Sequence, residues 1–410
     1  MLKAHTVCRI CKGAALAPFL DLGEMPTANA FRRAETLGQP EARYPLRVAF
    51  CSTCGLSQLT HVVDPETLFR DYVYFTAAMP QASEYWLSYA QDAAENFLAG
   101  PEALVVEIGS NDGLLLSVFK ELGSRVLGID PARNIARLAN ERGIETLPEF
   151  FSEALARDVA ARYGPARAIV ANNVVAHIDD HHDLLRGVKA LLADMGVFVF
   201  EAPYIADMFE NLAFDSVYHE HLSYLSVRPL MRLMAEHGLE IFDVKIFPRQ
   251  GNSIRVFCGL SGRHPVSERV AELLAGEAAL GLAEFSAYER LAERIARLKE
   301  SVVNLVKDLR AQGKRLACYG APARGNTLLN YFGIGSDALE YATEELLSKV
   351  GLYTPGTRIP VVHIEEARRN PPDYFLMLAW NYKDAILEKE RAFRERGGKF
   401  IIPIGEAAVL

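Results

Sequence analysis

Apolar and polar positions alternate along this chain in two patterns, one of short unbroken apolar runs and one of helical spacing. Leu104, Val105, Val106 and Ile108 form a short run rich in β-branched residues, and a polar turn bracketed by glycines follows. Leu115, Val118, Phe119 and Leu122 then recur at i, i+3, i+4 and i+7, which is one face of a helix. Gly123 ends that helix, and Arg125 to Ile129 supply the next run. Runs of this length without alternation predict parallel strands buried on both faces. The rhythm continues with helix 134–142, strand Ile144–Leu147, helix 152–162, strand Ala166–Val170, helix 183–193 and strand Gly196–Glu201. A long insertion, 202–227, interrupts it. Helix 228–238 and the strands Leu239–Phe247 and Ser253–Cys258 follow, the strands joined closely enough for an antiparallel hairpin.

Outside that unit, residues 1–70 read as a small module with a strand at Tyr44–Phe50, and 83–98 as a helix presenting Trp86, Tyr89, Ala93 and Phe97 on one face. Segment 265–312 is helical with Glu, Lys and Arg outward, a connector without evident chemistry. A second α/β unit begins at strand Arg315–Gly320 and continues through helix 327–332, strands near Ala338–Tyr341 and Asp373–Leu378, helix 382–396 and strand Phe400–Pro403. Four segments result: 1–70, 71–264, 265–312 and 313–410.

The turn after Ile108 carries the first chemistry. It reads Glu107-x-Gly109-Ser110-Asn111-x-Gly113, with Asn111 where a dinucleotide fingerprint would place glycine. Asp130 follows about 20 residues after the first loop glycine, at the end of the second strand, where an acid can hold ribose hydroxyls. Two carboxylates without a cationic anchor suit a cationic ligand better than a phosphate. The loop resembles motif I of class I S-adenosylmethionine (SAM) methyltransferases. That resemblance implies an α/β fold with a class I SAM methyltransferase Rossmann-like core, which the closing hairpin fits. In that fold the residues after the third strand cover adenine, so Phe150 and Phe151 are candidates, although core packing explains them too. The end of the fourth strand, where methyl donor and acceptor meet, carries Asn172, Asn173 and His177.

Composition narrows the setting. The 410 residues are half hydrophobic with a net charge of -8, and no basic stripe suggests nucleic acid as a partner. No apolar run spans a bilayer and no apolar leader opens the sequence, so a cytoplasmic enzyme is expected. Six cysteines are too few for a disulfide scaffold. Four of them, Cys8-x-x-Cys11 and Cys51-x-x-Cys54, form two knuckles that complete one tetrahedral shell, predicting structural zinc with no open coordination position. Cys258 and Cys318 are expected to be buried thiols, His5 and His61 to be surface residues rather than ligands, and His181 and His182 to be solvated.

The insertion holds Phe214-Asp215-Ser216-Val217-Tyr218-His219-Glu220-His221-Leu222-Ser223-Tyr224. Three readings fit it. His219 and His221 could begin a metal site, the cluster could be a buried polar network, or it could be an acid/base device, for which histidine's pKa is well placed. Tyr72 and Tyr74 either bridge module and core or line a pocket over this cluster. At the second unit, Gly320 to Thr327 opens a helix beside Arg324, an anion site.

Taken in order, the paired Cys-x-x-Cys, EIGSNDG, ANNVVAHI, FDSVYHEHLSYLS, GNSIRVF, GAPARGNTLLNYFGI, YTPGTRIP and LAWNYKD resemble the sugar C-methyltransferases of branched deoxysugar and antibiotic biosynthesis, over nearly the whole chain. The resemblance implies three parts: a zinc module, a SAM domain and a C-terminal Rossmann-like domain that helps hold the nucleotide sugar. It implies removal of the C3 proton of a nucleotide-linked (dTDP) 4-keto-deoxysugar and attack of the enolate on the SAM methyl. His221 would be the base; Tyr218, Glu220 and His177 would orient it or stabilise the enolate; Tyr72 or Tyr74 would touch the sugar. Arg324, Asn326, Lys349, Tyr353 and Arg358 would contact the nucleotide. Arg249 to Ser253 and Thr343 to Leu347 depart from the family's usual His-Gly-Gly and Asp-Arg-Ser runs, so the class of acceptor is implied and the particular sugar is not. A small-molecule partner, and a monomer or weak homo-oligomer, are expected. An O- or N-methyltransferase is the alternative, and it would need no enolate-stabilising cluster.

Overall fold

Two cysteine knuckles anchor the first sheet. The computed structural model describes residues 2–70, 72, 76, 82–98, 102–247, 252–405 and 407–410. Strand β1 (Leu2–Ala4), β2 (Leu16–Met25), β3 (Tyr44–Cys51), β4 (Ser57–Leu59) and β5 (His61–Val63) precede a short helix, α1 (Pro65–Phe69). Asp64 caps α1 by accepting from the Glu66 amide, and Pro65 starts it where no amide hydrogen is needed. β2, β3 and β4 form an antiparallel meander, and β1 pairs with β5.

The central domain follows the predicted rhythm. It comprises α2 (Ala82–Phe97), β6 (Leu104–Ile108), α3 (Leu114–Glu121), β7 (Arg125–Ile129), α4 (Arg133–Glu141), β8 (Thr146–Leu147), α5 (Glu153–Tyr163) and β9 (Ala166–Asn172). Then come α6 (His181–Leu191), β10 (Leu192–Pro203), α7 (Ile205–Asn211), β11 (Ser223–Tyr224), α8 (Val227–Glu236), β12 (Leu239–Phe247) and β13 (Ser253–Leu260). The seven-stranded sheet has the order β12-β13-β10-β9-β6-β7-β8, with β13 antiparallel to both neighbours. All five β6 positions are buried, as an apolar run flanked by strands on both sides requires. Gly128 in β7 lets the layers close: a Cβ there would stand 2.5 Å from the Ser110 hydroxyl.

Two expectations change here. β11, inside the insertion, pairs with β4, so the zinc sheet takes its fourth strand from the segment just after His221. The small module therefore does not end at residue 70 in space. The helices α9 (Glu268–Ala279) and α10 (Phe285–Ala311) are likewise more than a connector. Tyr288 of α10 is fully buried against Phe50 and Phe19 of the zinc module. The buried Glu277 of α9 accepts the Val227 amide and the Tyr204 hydroxyl.

The C-terminal unit contains β14 (Leu316–Tyr319), α11 (Ala323–Phe332), β15 (Ala342–Glu344), β16 (Val361–His363), α12 (Ile364–Arg369), β17 (Tyr374–Met377), α13 (Lys383–Lys389), α14 (Arg391–Glu395), β18 (Lys399–Ile402) and β19 (Ala408–Val409). Its sheet order is β16-β15-β14-β17-β18-β19, parallel except for β19. Strand order reverses between β14 and β17, so their C-terminal ends form the crevice where open α/β sheets take ligands. The second strand lies at 342–344, four residues later than its apolar pattern suggested, and the single helix foreseen over 382–396 is broken at Glu390. Cys258 and Cys318 are fully buried, as expected.

Candidate active site

A cavity of about 1230 Å³ runs between the three parts. On its central-domain wall lie Glu107, Gly109, Ser110, Asn111, Asp130, Phe150, Phe151, Asn172 and Asn173. Asp130 accepts the amides of Asn111 (2.8 Å) and Ala132 (2.8 Å), fixing the loop to the second strand. Asn111 sits at φ 48°, and its side chain accepts the Thr76 amide at 2.8 Å. Among the described residues, Glu107 Oε2 is buried without a hydrogen-bond partner, and the polar atoms of the Asn172 side chain are buried on the same wall. Burial, with Asp130 and Asp112 nearby, raises the Glu107 carboxyl well above its ordinary value. Buried acids facing a cavity and lacking a basic partner among the described residues fit a cationic ligand, and the set accommodates SAM. Gly113 lies outside the wall: it starts α3 at φ 77° and packs on Ile144. Phe150 lies under the Arg70 guanidinium, and Phe151 packs on Gly187, where a Cβ would stand 2.7 Å from its ring.

Gly109 has no room for a side chain. Its φ is 69°, and a Cβ would approach Val174 to 2.3 Å. Gly109→Ala is expected to push the loop and Val174 apart and to raise the SAM Kd at least tenfold, read by calorimetry; an unchanged Kd would dissociate this loop from SAM binding.

Across the cavity stands the histidine cluster. His221 Nδ1 lies 2.8 Å from the Ser216 carbonyl oxygen, which can only accept, so Nδ1 carries the proton. Nε2 is then the acceptor, and the Tyr218 hydroxyl donates to it at 2.8 Å. Burial, and the His177 ring 5.0 Å away, hold the His221 pKa well below the ordinary value. Burial lowers His177 to about 4; its Nε2 finds no hydrogen-bond partner among the described residues, and its ring stacks on Phe69. Glu220 accepts from the Tyr72 hydroxyl (2.8 Å) and from Asn29 (2.7 Å). His219 turns away to the Tyr44 carbonyl at 3.2 Å, so the two histidines of this run do not converge on an ion. Tyr74 lies outside the described residues.

The C-terminal wall brings Gly320 to Arg324, Glu344, Lys349, Asn381, Tyr382 and Lys389 to the cavity. Arg324 does so under constraint: it donates to the buried Asp215 at 2.7 Å and lies over Trp380, whose indole donates to the same carboxylate at 2.7 Å. Asn326, Tyr353 and Arg358 do not line it. Asn326 is fully buried and donates to the Ala28 carbonyl, Tyr353 is pinned by backbone pairing with Arg32, and Arg358 is exposed in a turn at φ 56°. Asn29 and Phe69, from the zinc module, reach the cavity with no local sequence signal.

The four cysteines Cys8, Cys11, Cys51 and Cys54 place their sulfurs within 4.8 Å of one another, close to the ~3.8 Å edge that Zn–S bonds of about 2.3 Å give a tetrahedron. Among the described residues they are the one group so placed. His181 and His182 are not solvated. His181 is fully buried, and His182 bonds the Ile10 carbonyl (2.7 Å) and His237 (2.9 Å), because α6 packs its N-terminus on the first knuckle. His5, which is not among the metal-ligand group, lies 2.8 Å from Asp179.

Burial lowers His181 to about 4. The unfolded chain therefore takes up a proton between pH 6.5 and 4 that the fold refuses, and stability falls with pH across that window. His181→Gln should gain on the wild type by about 1 kcal/mol per pH unit there, read by urea unfolding. A pH-independent difference would show that the ring is protonated in the fold.

The strand order, the acidic glycine loop and the cavity define a class I SAM-dependent methyltransferase carrying a zinc-binding module. Family models match in the same order: a zinc binding domain over 8–69, a methyltransferase domain over 81–244 and a C-methyltransferase C-terminal domain over 248–405. The chain is 38% identical over 404 residues to the C-methyltransferase NovU of Streptomyces niveus, covering 98% of this chain and 96% of that one. It therefore belongs to that C-methyltransferase family. A ubiquinone biosynthesis O-methyltransferase of Methylobacterium is 31% identical over 121 residues, 27% of this chain and 49% of that protein. A magnesium protoporphyrin IX methyltransferase from Synechocystis with bound SAM overlaps 43% of this chain and 77% of its own, at 12% identity and a TM-score of 0.32. Among the described residues no helix is long and apolar enough to cross a membrane.

Proposed function

We propose that this enzyme methylates carbon 3 of a nucleotide-linked 4-keto-deoxysugar through an enolate. The observation that carries the reading is the unprotonated Nε2 of His221, buried, fixed in its tautomer by Ser216 and held against Tyr218 on the same cavity as the Glu107–Asp130 loop. Methylation of a hydroxyl would call on a base alone, with no donor for a carbonyl oxygen. An α-carbon beside a ketone needs a base and a donor for the oxygen that becomes negative.

The sugar would lie between Tyr72, Tyr218 and His177, its ketone oxygen toward the Tyr218 hydroxyl. His221 Nε2 takes the C3 proton, and the C–H electron pair moves into the enolate, with its charge on the C4 oxygen. The Tyr218 hydroxyl shifts its hydrogen bond to that oxygen as His221 becomes cationic. Bound SAM, held by the Glu107–Asp130 loop, would supply the electrophilic methyl carbon for the new C–C bond at C3, with its sulfur released as the neutral thioether. The diphosphate would be met by the first amides of α11 with Arg324, Lys349 and Lys389, the cations of the C-terminal wall.

Incubation with a dTDP-4-keto-6-deoxysugar in deuterated water without SAM is expected to place deuterium at C3, and adding SAM to give a C3-methyl product. No exchange, together with methylation of a hydroxyl, would replace this reading by that of an O-methyltransferase.

A further inference from the structure

The first zinc knuckle touches both catalytic segments through one side chain. Arg9, between Cys8 and Cys11, is 1% exposed. Its backbone amide donates to Gln58 at 2.8 Å, so it is fixed at the root. Its guanidinium then reaches in two directions. Nε donates to Asp179 at 3.0 Å, two residues beyond His177. One terminal nitrogen donates to the carbonyls of Leu59 (2.7 Å) and Leu222 (3.2 Å), the latter adjacent to His221. The two segments also meet directly, the Leu222 amide donating to the Ala176 carbonyl at 2.8 Å. Lys3 (2.6 Å) and His5 (2.8 Å) also meet the Asp179 carboxylate. From the same knuckle, the Ile10 carbonyl holds His182, which leads α6 away from the His177 turn.

A planar fork with several donors suits this task, since a lysine could satisfy Asp179 or a carbonyl but not both sides at once. The groups served are the Leu222 carbonyl and the Asp179 carboxylate, on the segments that carry His221 and His177, together with the Leu59 carbonyl of β4, and the cysteine knuckle fixes where the fork starts. We infer that Arg9 is a positioning residue that sets the spacing of His177 and His221, and that zinc, by holding the Cys8–Cys11 knuckle, keeps that spacing. The inference rests on the proposed role of His221 in proton removal. It makes the zinc module part of the catalytic geometry rather than a distant staple.

The fork serves no part of the SAM loop, which separates its effect from general damage. In Arg9→Lys and Arg9→Met proteins that retain one zinc, kcat should fall ten- to a hundredfold, the scale expected when a base moves by about 1 Å, while the KM for SAM stays within twofold. Backbone amide exchange over 218–224 should quicken in both variants. In the wild type, slow zinc chelation should quicken exchange in 218–224 before the central sheet opens, an arm that needs no substitution. A kcat within twofold of wild type in the zinc-loaded Arg9→Lys protein would overturn the inference. So would equal loss of SAM affinity and kcat, or protection of 218–224 that persists until global unfolding. If the wild type fails to exchange C3 or methylate the keto sugar, the functional reading fails; amide exchange still decides whether Arg9 holds this segment.

Discussion

Asparagine in place of His221 is expected to lower kcat by 10²- to 10⁴-fold while leaving SAM affinity intact. That range is what a positioned proton acceptor supplies. Asparagine can still donate to the Ser216 carbonyl, which now accepts from Nδ1, so the local hydrogen bond survives while the basic nitrogen is lost. The deuterium exchange that precedes methyl transfer should fall in parallel, which places the loss at proton removal. The wild-type pH profile supplies a second signature. His221 is held well below the ordinary histidine value by burial and by His177, so it stays unprotonated at neutral pH and becomes protonated only as pH falls through that lowered value. The acidic limb of kcat/KM should therefore lie below pH 6.5. A limb above pH 6.5 would assign the proton to another group. A loss under tenfold in the variant would transfer the acceptor role to His177, whose ring is 5.0 Å away and whose Nε2 has no hydrogen-bond partner among the described residues.

The parts of this site that were legible in the sequence are those made by neighbours in the chain. A strand, a glycine turn and an acid at the end of the next strand bring Glu107, Gly109, Asn111 and Asp130 together over one βαβ unit, and the structure keeps all four on one wall or turn. Two Cys-x-x-Cys knuckles declare a tetrahedral shell for the same reason. What stayed hidden are partners brought from afar by packing. Asn29, 191 residues from Glu220, holds its carboxylate, and Phe69 stacks on His177. Nothing local marks either. Asn326 failed as a ligand candidate because a helix N-terminus presents side chains inward as well as outward, and this one turns inward to Ala28. Arg324 stood beside an exposed loop in the sequence, yet Asp215 and Trp380 from two other segments restrain it. His181 and His182 looked solvated because α6 reads as amphipathic with a polar start; the zinc knuckle covers that start.

Removing zinc is expected to unfold the N-terminal module and, with it, the active site. Structural zinc sites contribute on the order of 10–16 kcal/mol of apparent binding free energy near neutral pH, against a total stability of about 5–15 kcal/mol for most domains. Cys8, Cys51 and Cys54 are almost fully buried, so without metal their thiols have little to offset the loss. The damage cannot stay local. Cys51 ends β3, β3 pairs with β4, and β4 pairs with β11, the strand that leaves the His221 turn. Tyr288 of α10 also rests on Phe50, one residue before that ligand. Cys51→Ser should therefore lower Tm by more than 15 °C or prevent soluble expression, given that a few kcal/mol shifts a chain of this size by several degrees or more. Strong chelation of the wild type should do the same reversibly, with one zinc per chain released and methyl transfer recovered on reloading. Because the ligands must be thiolates, chelation should succeed more readily as pH falls. A chelated protein proven free of zinc, with Tm within 2 °C of the native value, would show that the knuckles stand by packing alone. The coupling from Cys51 through β4 to β11 would then have to be carried by the apolar contacts around Phe50 and Tyr288.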